Sequence, residues 1–480
     1  MKRNLVIALA FVLFCLVGWA GATYVNGIRL EKNFSGLVEK YGNLGILSVK
    51  LEDYQRGLLT AKTRTVVELK FPGGVPNSPA GEPAELPDKV QIVFEHFLSH
   101  GPLSFGSGLA LARIETRIVS VSPGQAQFEQ ALQRFPQLKE PFLVSRVTYS
   151  GALESRMDVQ AIETQIDTAQ LKWGGFTAES VFSPRNKTLA GAFELRAFAA
   201  HTPEAELAWD GANGHFDLAE ALPLVYVGKN AFKLSACRVS MSNPETGEQN
   251  NFELKGLDVR SSSSCDGKLV QMEQAMTFAG LTMDGQTYGP GVLEIELRNL
   301  DGEGLSTYQQ QILEVFGKSD TTSLDQLALQ FLPVYSQLLA KMAEGNPQLN
   351  IRRLHFVAPQ GEIDGQLLVS FNGGKEVSQD DPAALMQRVE ASTELAIHER
   401  LVQLIAINSA EGQLKRARET GNLPQLSDAE LAGMARQQAS AQVEALLAQN
   451  LVVRDGDKLK TTASFRQGEL VVNGQNMPLF

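Results

Sequence analysis

Arg388-Val389-Glu390-Ala391-Ser392-Thr393-Glu394-Leu395-Ala396-Ile397-His398 carries the most regular pattern in the chain. Val389, Ala391, Thr393, Leu395 and Ile397 alternate with Arg388, Glu390, Ser392, Glu394 and His398. A period of two puts one set on each face of a β-strand, one apolar and one wet. A half-wet strand belongs in an antiparallel sheet. The same alternation recurs along the chain. Thr63, Thr65, Val67 and Leu69 oppose Lys62, Arg64, Glu68 and Lys70; Leu153, Met157 and Val159 oppose Glu154, Arg156 and Asp158. Leu143, Val147 and Tyr149, then Phe193, Leu195 and Ala197, then Leu293, Ile295 and Leu297, repeat it. Gly-x-apolar steps at Gly151, Gly191, Gly214, Gly365 and Gly468 read as turns that open strands.

Helical spacing is confined to a few stretches: Gly124 to Gln137, segments near 305–343, and segments near 399–449. Pro333 is expected to kink or split its helix. Ser427 and Glu430 have the spacing of a capping box. Leu431, Met434, Val443, Leu446 and Leu447 form the apolar stripe of the last helix, expected to cover the sheet. The fold class is α+β: a long, mainly antiparallel, twisted sheet with several packed helices, preceded by one N-terminal transmembrane helix.

The transmembrane reading rests on Leu5 to Ala22, eighteen residues without a charge behind Lys2 and Arg3. As a helix they span roughly 27 Å, close to the ~30 Å hydrocarbon core of a bilayer. The basic flank stays in the cytoplasm and Trp19 and Tyr24 suit the far interface. The expected layout is a cytoplasmic end at 1–4, a single-pass signal anchor at 5–25 and a periplasmic body at 26–480. Ala20-Gly21-Ala22 also has the form of a signal-peptidase site, which leaves a cleaved, secreted body open. Lipidation of Cys15 is disfavoured by the bulky Phe14 before it. A net charge of −11 excludes a nucleic-acid binder, which needs a basic face. Three cysteines exclude a disulfide scaffold and a cysteine-built zinc site.

Catalytic spacings are missing. There is no His-Glu-x-x-His, Gly-x-Ser-x-Gly or Ser-x-x-Lys. Gly317-Lys318-Ser319 lacks the phosphate-loop glycine, since Ile312 stands there. Asp455-Gly456-Asp457 reads as a hairpin turn, not a calcium loop. No catalytic, cofactor-binding or metal residue is assigned. Cys237 and Cys265 are either two free thiols or a bridge, which in a loop-entropy account contributes about 3–4 kcal/mol.

Four passages resemble the YdgA-like family of envelope proteins: Tyr54-Gln55-Arg56-Gly57-Leu58-Leu59, His100-Gly101-Pro102-Leu103, Ser145 to Gly151, and Gly468 to Gln475. The resemblance runs from anchor to last hairpin. It implies an inner-membrane anchor and a periplasmic body, and supplies no catalytic residue. Read physically, Tyr54, Arg56 and Gly57 form a bend before a strand. His100, Gly101 and Pro102 end one, and Asn473-Gly474 is a type I′ turn pair.

The expected function is that of a non-catalytic envelope protein, a scaffold or assembly partner anchored in the bacterial inner membrane. Its partners are the membrane through residues 5–25 and an envelope protein or a second copy of the chain. The alternative is a binder or carrier of lipid along an apolar sheet face, similar to AsmA-like lipid-transfer proteins only at the level of shape. A hydrolase with an unrecognised site is the third reading. An open apolar groove on the sheet favours lipid; a filled core counts against it.

Overall fold

The computed structural model describes residues 23–36, 38, 39, 42, 47–70, 89–101, 110–166, 168–242, 249–283, 285–318, 324–373, 386–420, 424 and 426–478. Of the expected anchor at 5–25 only residues 23–25 are described, as helix; the rest of it, Pro102 and the proline-rich stretch 71–87 lie outside these. Among the described residues no helix is long and apolar enough to cross a membrane.

Every described strand pairing is antiparallel. β1 (Leu47–Arg56), β2 (Thr60–Lys70), β3 (Lys89–His100), β4 (Ala112–Ser122), β5 (Leu143–Val147) and β6 (Leu153–Val159) pair in chain order. The ladder continues through β9 (Phe176–Ser183), β10 (Thr188–Leu195), β13 (Ala212–Leu222), β14 (Val225–Ser242), β15 (Gln249–Asp266), β16 (Leu269–Phe278) and β19 (Gly291–Asp301). It ends with β20 (Gln348–Ala358), β21 (Gly361–Phe371), β22 (Val389–His398), β24 (Lys458–Arg466), β25 (Glu469–Val472) and β26 (Gln475–Met477), with the short β23 (Val453–Asp455) also paired to β24. The opening stretch of sequence is therefore β22, a central strand between β21 and β24.

Between β6 and β19 the long strands are creased at one level. β7 (Ile162–Ile166), β8 (Ala169–Trp173), β11 (Phe198–His201), β12 (Ala205–Trp209), β17 (Gly280–Met283) and β18 (Gln286–Tyr288) lie beyond the crease as continuations of the strands below it. β14 and β15 run straight through. On every second strand the crease holds a glycine with positive φ: Gly175 (97°), Gly211 (128°), Gly256 (65°) and Gly289 (103°). A left-handed residue re-aims a strand without steric cost only when it is glycine. At Gly175 a Cβ would lie 2.3 Å from the Val159 carbonyl oxygen.

Helix α1 (residues 23–36) packs Leu30 and Phe34 on Ala61, Leu98, Ala112 and Ile114 of β2–β4. This is the main buried apolar cluster. α2 (Gln125–Arg134) follows β4; α3 (Gly302–Lys318) and α4 (Leu324–Glu344) form a hairpin after β19. α3 is tied to a strand end by the Ser306 hydroxyl, which donates to the Pro223 carbonyl at 2.7 Å. α5 (Glu399–Glu419) and α6 (Asp428–Ala448) form a second hairpin, and Ser427 and Glu430 make the expected capping box.

Several expectations are corrected. Gly191, Gly214 and Gly365 do not open strands; they lie inside β10, β13 and β21. The cross-strand rings of Phe216 and Phe193 fold over two of them, so added Cβ atoms would meet those rings at 2.7 Å and 2.6 Å. Pro333 does not split its helix but lies inside α4. In α6 the buried stripe is Leu431, Ala435, Ala439 and Val443, while Met434 is exposed. The small residues let α6 pack closely on α5 rather than on the sheet. Cys237 and Cys265 are free thiols. Cys237 faces Leu254 across β14–β15, and Cys265 lies eleven residues further along β15. At ~3.3 Å per residue that is roughly 36 Å, far beyond disulfide reach.

Candidate functional site

Directly opposed residues of an antiparallel pair share a face, so the register defines the two faces. From β6 to β24 one face carries a row that begins Met157–Ala178–Phe193–Gly214–Phe232 and continues Val259–Met276–Leu293–Leu354–Gly365–Leu395–Thr461. Two residues along each strand, the neighbouring row includes Val159, Phe176, Leu195, Leu234 and Leu257, then Phe356, Ile363, Ile397 and Leu459. On the other side lies a row containing Ser155, Ser180, Asn230, Ser261 and Gln274, followed by Ile295, Ile351 and Leu367. A fourth row holds Leu153, Phe182, Leu189, Leu218, Met272, Leu297, Leu349 and Val369.

No Asp, Glu, Lys, Arg or His occupies these four rows, although charged residues are 20% of the chain. Along these rows the charges sit on the opposite face, where Arg156 pairs with Glu179 at 3.0 Å and Lys233 with Asp258 at 3.6 Å; on the uncharged side Lys187 and Glu220 pair at 3.2 Å at the strand ends, beyond the fourth row. Twelve strands span eleven steps of ~4.8 Å, so the uncharged face is roughly 50 Å long. It is not a filled core. Of the large apolar side chains in the first two rows only Leu459 is buried; the others keep some access to solvent. Phe193 lies 6.4 Å, centroid to centroid, from both Phe176 and Phe232, so the rings form a continuous strip.

Beyond the crease a second apolar ladder runs Ile162–Trp173–Phe198–Trp209–Cys237–Leu254–Leu281–Tyr288. Phe198 stacks on Trp209 at 4.1 Å. Its neighbouring row exposes Leu207, Phe252 and Met283. The two ladders meet where Tyr288 stacks on Phe356 at 6.3 Å.

α1 covers the same face at its first strands, and three of the singled-out turn residues make its seat. Tyr54 packs against the α1 cluster, and its hydroxyl is pushed up to about 12 by burial and by Glu31. Arg56 donates to Glu31 of α1 at 2.7 Å and lies over the Tyr24 ring. His100 is buried beneath Gly27, where a Cβ would approach its ring to 2.7 Å. Burial lowers its pKa, with the main chains of Thr23 and Thr60 pulling the other way. Gly57 and Gly101 turn the backbone at the same end. Asn473 and Gly474, both at positive φ, form the expected tight turn at the far end. There Asn473 donates to the Asn450 carbonyl at 2.8 Å, tying the last hairpin to the end of α6. The sequence reading missed α1; Leu30 and Phe34, one turn apart after Gly27, are its signal.

Two buried polar groups lie beside this seat. Glu95, its side chain 2% exposed, accepts from Lys62 at 2.8 Å, Arg64 at 3.2 Å and Arg117 at 2.5 Å. Burial alone would raise its carboxyl, but hydrogen bonds from Lys62, Arg117 and Arg64 overcome that and hold it down at about 2. His96, on the α1 side, is bracketed by the hydroxyls of Thr65 at 2.8 Å and Thr116 at 2.9 Å. Burial pushes its pKa down to about 4, opposed by the Glu95 charge. Between the usual 6.5 and about 4 the unfolded chain takes a proton at His96 that the folded chain refuses. This stability is complete above the first value and is lost as pH falls through the second, by about 3 kcal/mol in all. His96→Gln is expected to flatten the fall in melting temperature across that window, measured by calorimetry against the parent chain.

A third cluster joins His355, Glu362 and Asp364, whose ligand atoms lie within 4.8 Å of one another. Lys458 already supplies the cation: its ammonium contacts Glu362 and lies 3.0 Å from Asp364, which also accepts from His355 at 2.7 Å. Burial acts against ionisation of Asp364, yet the His355 and Lys458 contacts hold its carboxyl below the usual range. The donor set is therefore satisfied as an ion-pair network. Two clefts, of about 500 and 750 Å³, lie mainly on the charged face. The larger is lined by Arg113, Arg146 and Arg156 with Glu154 and Glu179.

Protein YdgA of Escherichia coli (strain K12) is 20% identical over 516 residues, a match covering all of this chain and 95% of that protein. No solved structure matches. A family model described as "Bacterial protein of unknown function (DUF945)" matches residues 1–480. With the turn residues gathered at the two ends of one sheet and the family match running the whole length, the chain belongs to this bacterial DUF945 family.

Proposed function

We propose that the chain is a non-catalytic, membrane-anchored lipid binder whose ligand lies along the uncharged face of the sheet. The observation that carries this reading is the segregation of charge. Across four rows of twelve consecutive strands no ionised group stands on this face, which keeps aromatic and aliphatic side chains partly open; its first charged groups, Lys187 and Glu220, pair with each other at the strand ends beyond those rows. Exposed apolar surface on this scale is costly in water and marks a site of contact with an apolar partner. α1 supports the placement: its described residues follow the uncharged stretch 5–22 in the sequence and pack on the first strands of the same face. The face thus starts beside the segment read as the inner-membrane anchor, with the body on the periplasmic side.

A scaffold role has separate support in α4, where Leu329, Leu332, Tyr335 and Leu339 form an exposed apolar stripe, the leucines between 58% and 68% exposed. Native mass spectrometry of the full chain, stripped of its detergent micelle, separates the readings. Lipid binding predicts adducts of phospholipid mass that survive stripping. A bare chain, or one carrying only a protein partner, contradicts lipid binding and favours the scaffold.

A further inference from the structure

The uncharged face also defines which part of a lipid it takes. We propose that it holds the acyl chains and their ester linkages and leaves the headgroup in water, so that it selects lipids by chain and not by headgroup charge. This rests on the lipid reading above. A phosphate or carboxylate headgroup is recognised by Lys or Arg through charge-assisted hydrogen bonds. None stands anywhere in the four rows. What the face does offer is two groups of neutral donors and acceptors in one row, Ser155 with Ser180 and, past Gly191 and Phe216, Asn230 with Ser261 and Gln274, between two apolar rows on one side and one on the other. Ser261 donates to Asn230 at 2.6 Å, and these side chains stay partly accessible. Neutral hydrogen-bonding groups flanked by apolar strips match an ester linkage with its hydrocarbon on either side. The length fits: roughly 50 Å holds more than one lipid laid across the strands. The occupant is a membrane lipid because residues 5–22, which precede the helix seated on this face, form an eighteen-residue uncharged segment suited to a bilayer.

The test offers the full chain an equimolar mixture of phosphatidylethanolamine and phosphatidylglycerol with identical acyl chains, then counts adducts by native mass spectrometry. The expected ratio is within about twofold, since no charge-assisted contact separates the two. Ser180→Arg places a cation in this row and is expected to bring a preference for phosphatidylglycerol of about tenfold or more. Asn230→Lys provides the same test at a second position should the first variant not fold. A parent chain that already prefers the anionic lipid about tenfold overturns the inference while leaving lipid binding intact. Equal preference in both folded variants overturns it too, because the headgroup would then lie elsewhere. Absence of every lipid adduct overturns the lipid reading and this inference with it.

Discussion

Replacing Phe193 and Phe232 together by aspartate is expected to cut lipid retention by the full chain at least about tenfold, because an unpaired carboxylate against hydrocarbon costs several kcal/mol. The two rings, on the third and fifth of the twelve strands, approach across Gly214 to 6.4 Å, and neither is buried. In the empty protein the new carboxylates therefore remain hydrated. The folded state loses only the cover that Phe193 gives Gly214 and its ring contacts, so the melting temperature should fall by a few degrees rather than collapse. The paired control is Glu194→Ala with Lys233→Ala on the opposite face, which should change retention little. Equal loss in both pairs would mean that lipid does not distinguish the faces. Retention is measured by extracting and quantifying lipid from the purified full chain.

The second large effect concerns Glu95. Glu95→Ala is expected to destabilise the chain by about 3–5 kcal/mol, since it removes the one carboxylate that holds three cations at a buried position. Glu95→Gln keeps the shape and should cost less. The acid response has a defined sign. The folded carboxyl sits at about 2, below its usual 4.5. Its contribution is therefore complete above the higher value and is lost as pH falls through the lower one. Denaturant unfolding at neutral pH and at pH near 3 checks both statements. An alanine variant as stable as the parent would show that the cations, not the carboxylate, organise this end of the sheet.

The alternation in Arg388 to His398 was enough to place a strand with one wet face, and the same rule found β2, β6, β10 and β19. It could not tell whether the apolar face would be covered. That depends on how many helices reach the sheet, and those seen contacting it do so at α1, at α2 beside β4, at α5 and around the strand ends near Pro223 and Asn299. Gly191 and Gly214 were misread as turns because their partners, Phe216 and Phe193, are close only after β10 and β13 pair. The crease was hidden for the same reason: Gly175, Gly211, Gly256 and Gly289 have irregular sequence spacing and align only in the sheet. The cations around Glu95 come from three strands, at positions 62, 64 and 117, and no local motif links them. Tyr54, Arg56 and His100 were legible as a set. Their common role was not, because α1, which they seat, straddles the boundary between the expected anchor and the body, and its contacts with β2–β4 form only in the folded chain.

The most direct measurement is photocrosslinking in cells, with a photoreactive residue placed one position at a time in the full chain. Phe193, Phe232 and Leu293 lie on the uncharged face, and their strand neighbours Glu194, Lys233 and Glu294 lie on the charged one. Lipid adducts are expected at the first three positions and none at the second three. Adducts equally on both faces, or protein adducts alone at Phe193, Phe232 and Leu293, would contradict lipid binding along the uncharged face.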